Sequence, residues 1–129
     1  MASSPAFIAT GRVAAVNVAT ANTATDGTGT IASLIAGVAA GTRVNEIDVK
    51  CAATSAAAQI NLFISSDTGS TWKIFDSVTV TAVTQSATVA GFRGSASYTN
   101  LILPSAAHII GVTTTISQST NVVALGGDL

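Results

Sequence analysis

The amino-acid sequence predicts an all-β protein, a single antiparallel β-sandwich or jelly roll of about eight strands with an extended N-terminal arm. No stretch keeps a helical spacing of apolar residues for three turns, because Gly and β-branched residues interrupt every window. Several segments instead alternate apolar and polar residues, as half-buried strands do. Turn residues, among them Gly11, Gly41 and Pro104, separate these segments at intervals typical of strands.

The first part of the chain contains three predicted strands, at residues 12–19, 28–36 and 43–51. The third is the clearest, because its apolar and charged residues fall on opposite faces. Ile47, Val49 and Cys51 point one way, and Glu46, Asp48 and Lys50 point the other. We therefore expect one face of this strand in a core and the other in water.

A β-hairpin is predicted next. Residues 59–65 place Ile60, Leu62 and Ile64 on one face, and residues 72–80 place Trp72, Ile74, Val78 and Val80 in register. Between these two segments, residues 66–70 form a cluster of turn-forming residues.

Four further strands are predicted, at residues 88–92, 98–103, 108–117 and 121–125. Two Ala-rich stretches, residues 36–40 and 52–58, could form short helical turns instead of loops. Residues 1–10 contain Pro5, which disfavours a helix, and few residues available for a core, so they predict an extended arm, and residues 11–129 predict one sandwich domain.

The low charge of the chain narrows the range of partners. Only 9% of residues are charged, with five Lys or Arg against six Asp or Glu, so no field is present that would attract nucleic acid or an anionic membrane. A nearly neutral surface rich in Thr and Ser predicts that much of it is covered in a homo-oligomeric assembly. The first residues lack a secretory signal, and no segment is apolar enough to span a membrane, so we expect synthesis in the cytoplasm.

Asp67-Thr68-Gly69-Ser70 carries the sharpest local signal, because it resembles the active-site loop of aspartic proteases. The sequence His108-Ile109-Ile110-Gly111 resembles the downstream apolar-apolar-Gly element of that family. Two such aspartates, one from each subunit of a dimer, would share a proton and activate water. However, Ser65 and Ser66 stand where that family has aliphatic residues. The competing interpretation is a hairpin turn in which Asp67 bonds its own backbone and Gly69 takes a positive φ.

The other candidate residues for chemistry favour structural roles. His108 is the single histidine, without a nucleophile elbow, and is expected at a strand end. Cys51 is expected in the core. Trp72 and Phe75 could contact a glycan, but Trp72 in register with apolar neighbours predicts a core position. The carboxylates lack the spacing of a calcium loop, and the Gly-containing stretches 26–30 and 126–129 are predicted turns. We therefore predict no catalytic, cofactor-binding or metal-binding residue.

Several stretches together resemble short proteins encoded among the virion genes of tailed bacteriophages and prophages. They are TANTATDGTGT at residues 20–30, GTRVNEI at 41–47, LFIS at 62–65, VTAVTQSATV at 80–89, LILPS at 101–105 and NVVALGGDL at 121–129. The likeness covers roughly residues 20–129 and consists of turns and strand edges, so it transfers no catalytic residue.

This resemblance implies a structural virion protein rather than an enzyme. The expected role is a capsid decoration or cement protein that binds the major capsid protein and neighbouring copies of itself, as a trimer or dimer, on the capsid surface. A tail, collar or baseplate component is the alternative within the same class. A dimeric aspartic protease using Asp67 and a host-glycan-binding module are the alternatives from other classes.

Overall fold

A computed structural model of the chain describes residues 8–129. Within these residues the chain forms eight strands and no helix, which confirms the all-β prediction. The strands are β1 (Thr10–Val18), β2 (Ala32–Ala36), β3 (Thr42–Cys51), β4 (Ala58–Ser65), β5 (Lys73–Val80), β6 (Arg93–Leu103), β7 (Ile109–Thr114) and β8 (Thr120–Asp128).

The strands form two four-stranded sheets. The first has the order β1-β8-β3-β6 and the second the order β2-β7-β4-β5, and every strand pairing is antiparallel. Only the connection from β4 to β5 joins neighbours within one sheet, whereas every other connection crosses between the sheets. The two sheets share one hydrophobic core, so the sandwich prediction is also confirmed.

The core lies between the sheets and is built from the apolar side of each strand. Ile47 and Leu103 of the first sheet and Ile60 and Ile110 of the second are completely buried in it. Each such aliphatic side chain contributes about 1.5–3 kcal/mol relative to leaving it exposed. Burial of apolar side chains from both sheets therefore holds the sandwich together.

β3 has the two faces that its sequence predicts. Val49 and Cys51 are buried whereas Lys50 is exposed. The pairing of β3 with β8 shifts between Val44 and Glu46. This irregularity reverses the alternation, so that Val44 and Ile47 both face the core.

The predicted hairpin forms as β4 and β5, but half of the core face predicted for its second strand, Trp72 and Ile74, is wrong. The register shifts between Leu62 and Phe63, which leaves Phe75 of β5 as an extra residue in the ladder. Beyond this bulge the faces of β5 exchange. Phe75 packs against the core, whereas Ile74 remains 38% exposed.

Trp72 lies on the outer face of the second sheet instead of in the core. Gly111 of β7, which pairs with Phe63, provides the space for it: a Cβ at Gly111 would lie 2.8 Å from Trp72 Cζ3 and 2.5 Å from Ile31 Cγ2. Phe63 is completely buried but is not part of the main core. On the outer face of the second sheet, Phe63 and Trp72 thus lie beside Ile31, which belongs to the segment that connects β1 to β2.

Several predicted boundaries need correction. Residues 88–92 form no strand, because a turn in which the backbones of Ser86 and Val89 bond each other precedes the buried Gly91. The strand predicted at 28–36 begins at Ala32, and the one predicted at 98–103 begins at Arg93. The Ala-rich stretches 36–40 and 52–58 contain no helical turn.

The prediction of a turn at residues 126–129 is also wrong, because Gly126 and Gly127 lie within β8. A Cβ at Gly126 would collide with the carbonyl oxygen of Arg43 in β3, and one at Gly127 would collide with the side chain of Ile8. These glycines allow neighbouring strands to approach closely rather than to turn.

Of the predicted arm, residues 1–7 lie outside the described part of the chain. The backbone N–H of Ala9 donates to the carbonyl oxygen of Asp128 at 2.8 Å, and Thr10 is already the first residue of β1. Residues 9 and 10 therefore extend along β8.

Candidate functional site

Asp67 lies in the turn between β4 and β5, where its carboxylate closes the turn. Oδ1 accepts hydrogen bonds from the Thr71 backbone N–H at 2.9 Å and from Ser65 Oγ at 2.7 Å, and Oδ2 accepts one from Thr71 Oγ1 at 2.6 Å. Gly69 has a φ of 87°. The predicted hairpin turn is thus confirmed in both its parts.

The hydrogen bonds of this turn stabilise the ionised carboxylate. The hydrogen bonds from the Thr71 side chain and backbone have the largest effect, and the hydrogen bond from Ser65 comes next. Together they lower the pKa of Asp67 to about 2. Asp67 is consequently a hydrogen-bond acceptor in this arrangement.

His108 immediately precedes β7, as predicted, and lies near the Asp67 turn. The backbone N–H of Thr68 donates to the carbonyl oxygen of Ala107 at 3.0 Å, which joins the two segments. His108 Nδ1 lies 2.8 Å from Ser105 Oγ within its own loop. The two protease-like motifs are therefore neighbours in space, but each polar side chain is occupied by local hydrogen bonds.

The other candidate residues are distributed over the molecule. Cys51 is buried, as predicted, with Sγ 3.8 Å from Thr120 Oγ1. Within residues 8–129, no three His, Cys, Asp or Glu side chains come together as metal ligands would. Trp72 is half-buried over Gly111, and Phe75 stacks obliquely on Tyr98 with ring centroids 5.9 Å apart.

Sequence reasoning missed a polar cluster at the end of the sandwich where β1 begins. Asp128 Oδ1 accepts from Thr42 Oγ1 at 2.8 Å and from Arg12 Nη1 at 3.3 Å. Arg12 Nη1 also donates to the carbonyl oxygen of Ala36 at 2.7 Å. Because the partners are far apart in sequence, only the strand order could have revealed the cluster, which ties β1, β3 and β8 to the edge of the second sheet.

The opposite end of the sandwich is a surface with almost no charge, which we call the loop end. It consists of residues 52–57, 81–92 and 115–119, none of which is charged, together with the first residues of the segment that connects β1 to β2. The middle of that segment, with Asp26, runs over the outer face of the second sheet and brings Gly27 to the backbone of Trp72 at the other end. The largest exposed apolar side chain of the loop end is Val89, at 47% exposure.

Hydrogen bonds between the segments order the loop end. Ser55 and Val83 exchange two backbone hydrogen bonds, at 2.9 and 3.1 Å. The side-chain amide of Gln118 accepts from the Ala56 N–H at 2.9 Å and donates to the Ala56 carbonyl at 3.2 Å. This surface is thus preorganised, which reduces the entropy lost when a partner binds.

A groove of about 510 Å³ opens beside the loop end, where residues 19–22 and 29–32 cross the second sheet. Its polar walls come from amides and hydroxyls, among them Asn17, Thr30 and Thr113, and no charged residue lines it. Thr113 Oγ1 is buried without a hydrogen-bond partner in the described part of the chain. The groove can accept an uncharged polar group.

Within residues 8–129, no helix is long and apolar enough to cross a membrane. Comparison with the models of known protein families, with curated proteins and with solved structures finds no match to this chain.

Proposed function

We propose that this chain is a structural protein of a bacteriophage virion, and specifically a decoration protein that clamps neighbouring major capsid subunits on the outer surface of the shell. The observation that carries the proposal is the order of the strands in the two sheets, β1-β8-β3-β6 and β2-β7-β4-β5. In both sheets, strands from the beginning and the end of the chain alternate. This interleaving supports our proposal that the sandwich is a jelly roll, a fold of viral capsid domains.

Because one fold serves many functions, the role needs support from the surface. The loop end supplies it, since it is ordered, almost uncharged and carries an exposed Val89. Such a surface suits a fixed protein partner better than nucleic acid, whose binding requires clustered Lys and Arg. We assign the loop end to contact with the major capsid protein.

Decoration stabilises a shell through many equivalent contacts. A standard interface buries about 1,600 Å² in total, and a 12.7 kDa chain can provide its share from one end of a sandwich. When copies related by the symmetry of the shell are connected to one another, binding of one copy raises the effective concentration of the next. The overall affinity for the shell then exceeds the modest affinity of a single copy.

Labelling of intact virions tests the location. Purified particles are imaged with a gold-labelled antibody against this chain, and particles from a phage lacking its gene serve as the control. Label spread over the head is expected. Label confined to the tail or neck would overturn the capsid assignment in favour of a tail, collar or baseplate component. Absence of label on intact virions would overturn the structural role and make the protease with Asp67 the leading alternative.

We also propose that the N-terminal arm, residues 1–10, contacts a neighbouring subunit, and this contact has its own test. Since Ala9 and Thr10 bond to β8, the deletion is limited to residues 1–7 so that β1 stays intact. We expect lower occupancy of the deleted chain on particles, measured by quantitative mass spectrometry, with unchanged thermal unfolding of the isolated protein. Unchanged occupancy would show that the arm makes no essential contact.

A further inference from the structure

β1 is an edge strand that lacks the usual protection against pairing with another strand. It pairs with β8 over all nine residues without a register shift, and within residues 8–129 no strand pairs with its other side. The other three edges are interrupted: β2 and β5 contain bulges, and β6 shifts its register against β3. Native proteins protect edges by such irregularities, by Pro or by charged side chains.

The single charge on β1 does not oppose pairing. Arg12 is held by the carbonyl oxygen of Ala36 and by Asp128 at the end of the sandwich. The residues of β1 that alternate with Arg12 and point outward are Gly11, Val13, Ala15 and Asn17. Val13 is 74% exposed.

Val13 belongs to an apolar strip on the outer face of the first sheet. The strip consists of Val13 and Ala15 of β1 with their partners on β8, Leu125 and Val123. The next strand is charged, with Glu46 opposite Leu125 and Asp48 opposite Val123. The outer face is thus apolar at the β1 edge and charged farther in.

We propose that two copies of this chain associate through their β1 strands, which pair antiparallel about a two-fold axis near Ala14 and join the two first sheets into one continuous sheet. The outward residues are self-complementary in this arrangement, because each Val13 lies opposite Ala15 of the other copy and the two apolar strips merge. An isologous contact of this kind closes at two subunits.

The hydrogen bonding and the charge distribution of the contact are compatible with a dimer. Antiparallel pairing of nine residues supplies roughly nine backbone hydrogen bonds, close to the ten or so of a typical interface. With strands about 4.8 Å apart, the β3 strands of the two copies lie roughly 24 Å from each other. This separation exceeds the Debye length of about 8 Å at physiological salt, so their like charges repel little.

Sedimentation of the full chain tests the proposal. We expect a species of twice 12.7 kDa for the wild type and the monomer for Val13→Lys, which places two ammonium groups beside the axis. Ile102→Lys is the matched control, since Ile102 is 44% exposed on the outer face of the same sheet at its opposite edge. It is expected to remain dimeric. A monomeric wild type, a dimeric Val13→Lys variant or a monomeric Ile102→Lys variant would overturn the proposal.

Cross-linking tests the strand contact itself. Copies carrying Val13→Cys and copies carrying Ala15→Cys are mixed and oxidised with diamide, and Cys51 is protected by its burial. A disulfide between one copy of each kind is expected. Its absence from a sample that sediments as a dimer would exclude the β1 contact. Neither result bears on the virion location, which the labelling experiment decides separately.

Discussion

Asp67 shows how an exposed side chain can have a structural role. Its two carboxylate oxygens hold three groups of its own turn, and Thr68 in the same turn has a φ of 61°, a backbone conformation unusual for a residue with a side chain. The motif could be identified from the sequence as a turn, because Asp and Gly at these positions have known backbone preferences. Its contact with Ala107 could not, since it depends on the packing of a distant loop.

The pH dependence of unfolding follows from this turn. The pKa of Asp67 falls from 3.8 to about 2 on folding, so its contribution to stability is present above pH 3.8 and is lost as the pH falls towards 2. We expect Asp67→Asn to lower the melting temperature at pH 7 and to change it little at pH 2. Glu46→Gln is the control, because Glu46 is a carboxylate that belongs to neither of the ion pairs among the described residues, Arg12–Asp128 and Arg93–Asp48. Equal losses at both pH values would contradict the role of the ionised carboxylate.

Gly126 occupies a position in β8 where a neighbouring strand leaves no space for a side chain. Its Cα faces the carbonyl oxygen of Arg43 so closely that no Cβ fits, whereas a Cβ at Gly11 on the edge strand would meet nothing within 4 Å. The sequence could not distinguish these glycines, because the difference arises from the approach of β3 to β8 at an irregularity.

Substitution of these two glycines by alanine should therefore have opposite effects. We expect Gly126→Ala to destabilise the protein by about 1–3 kcal/mol through overpacking. Gly11→Ala should be neutral or stabilising by up to roughly 1 kcal/mol, because it restricts the unfolded chain. Urea denaturation of both variants measures the difference. Similar free energies of unfolding would show that β3 and β8 can separate without cost.

At the scale of elements, the two sheets are joined at one edge by the pair Asp76 and Tyr98. Tyr98 Oη of β6 donates to Asp76 Oδ2 of β5 at 2.7 Å. Burial of the Tyr98 side chain has the largest effect on its pKa and raises it. The hydrogen bond to Asp76 and the negative charge of Asp76 raise this pKa further. The contact depends on the bulge of β5 at Phe75. The strictly alternating part of β3, Glu46 to Cys51, could be predicted from the sequence. The bulges that re-aim Phe75 and Trp72 could not, since they reflect contacts between strands.

Tyr98→Phe should lower the free energy of unfolding by about 1 kcal/mol, because it removes the donor of Asp76 Oδ2 while keeping the ring and the Ser77 N–H bond to Oδ1. The wild type should also lose stability as the pH rises above 10.0, the ordinary value for Tyr, and the variant should lack this loss. Chemical denaturation at pH 7 and above pH 10 measures both effects.

Thr79→Val provides the comparison for this experiment. Thr79 makes an exposed hydrogen bond of 3.3 Å to Gln59 on the hairpin that contains Asp76, so its loss should change stability by less than about 0.5 kcal/mol. If Thr79→Val costs as much as Tyr98→Phe, the inter-sheet bond has no special role.

At the scale of the whole molecule, charge is distributed unevenly. The connecting segments 52–57, 81–92 and 115–119 of the loop end contain no charged residue, whereas the outer face of β3 and β6 carries several, including an ion pair of 3.1 Å between Asp48 and Arg93. The sequence predicted the low total charge but not this separation, because the connecting segments come together only when the strand order is known.

Binding to particles through the loop end should depend little on salt. We expect occupancy to change less than about twofold between roughly 0.05 and 0.5 M NaCl. Ala87→Lys in the loop end should lower occupancy, because it places a charge in the proposed contact. Ala106→Lys at the opposite end should leave occupancy unchanged. The two positions are matched, since both residues are exposed. A steep salt dependence of the wild type, or equal effects of the two variants, would assign the contact to another surface.

The position of β8 has a consequence for the order of folding during synthesis. β8 is the last strand along the chain, yet it lies between β1 and β3 and pairs with both. While the ribosome still holds residues 120–128, β1 has no partner in its sheet, and one side of β3 is unoccupied. The first sheet therefore closes only after β8 has left the exit tunnel, and ribosome-bound intermediates would expose two apolar strand edges that a chaperone could bind.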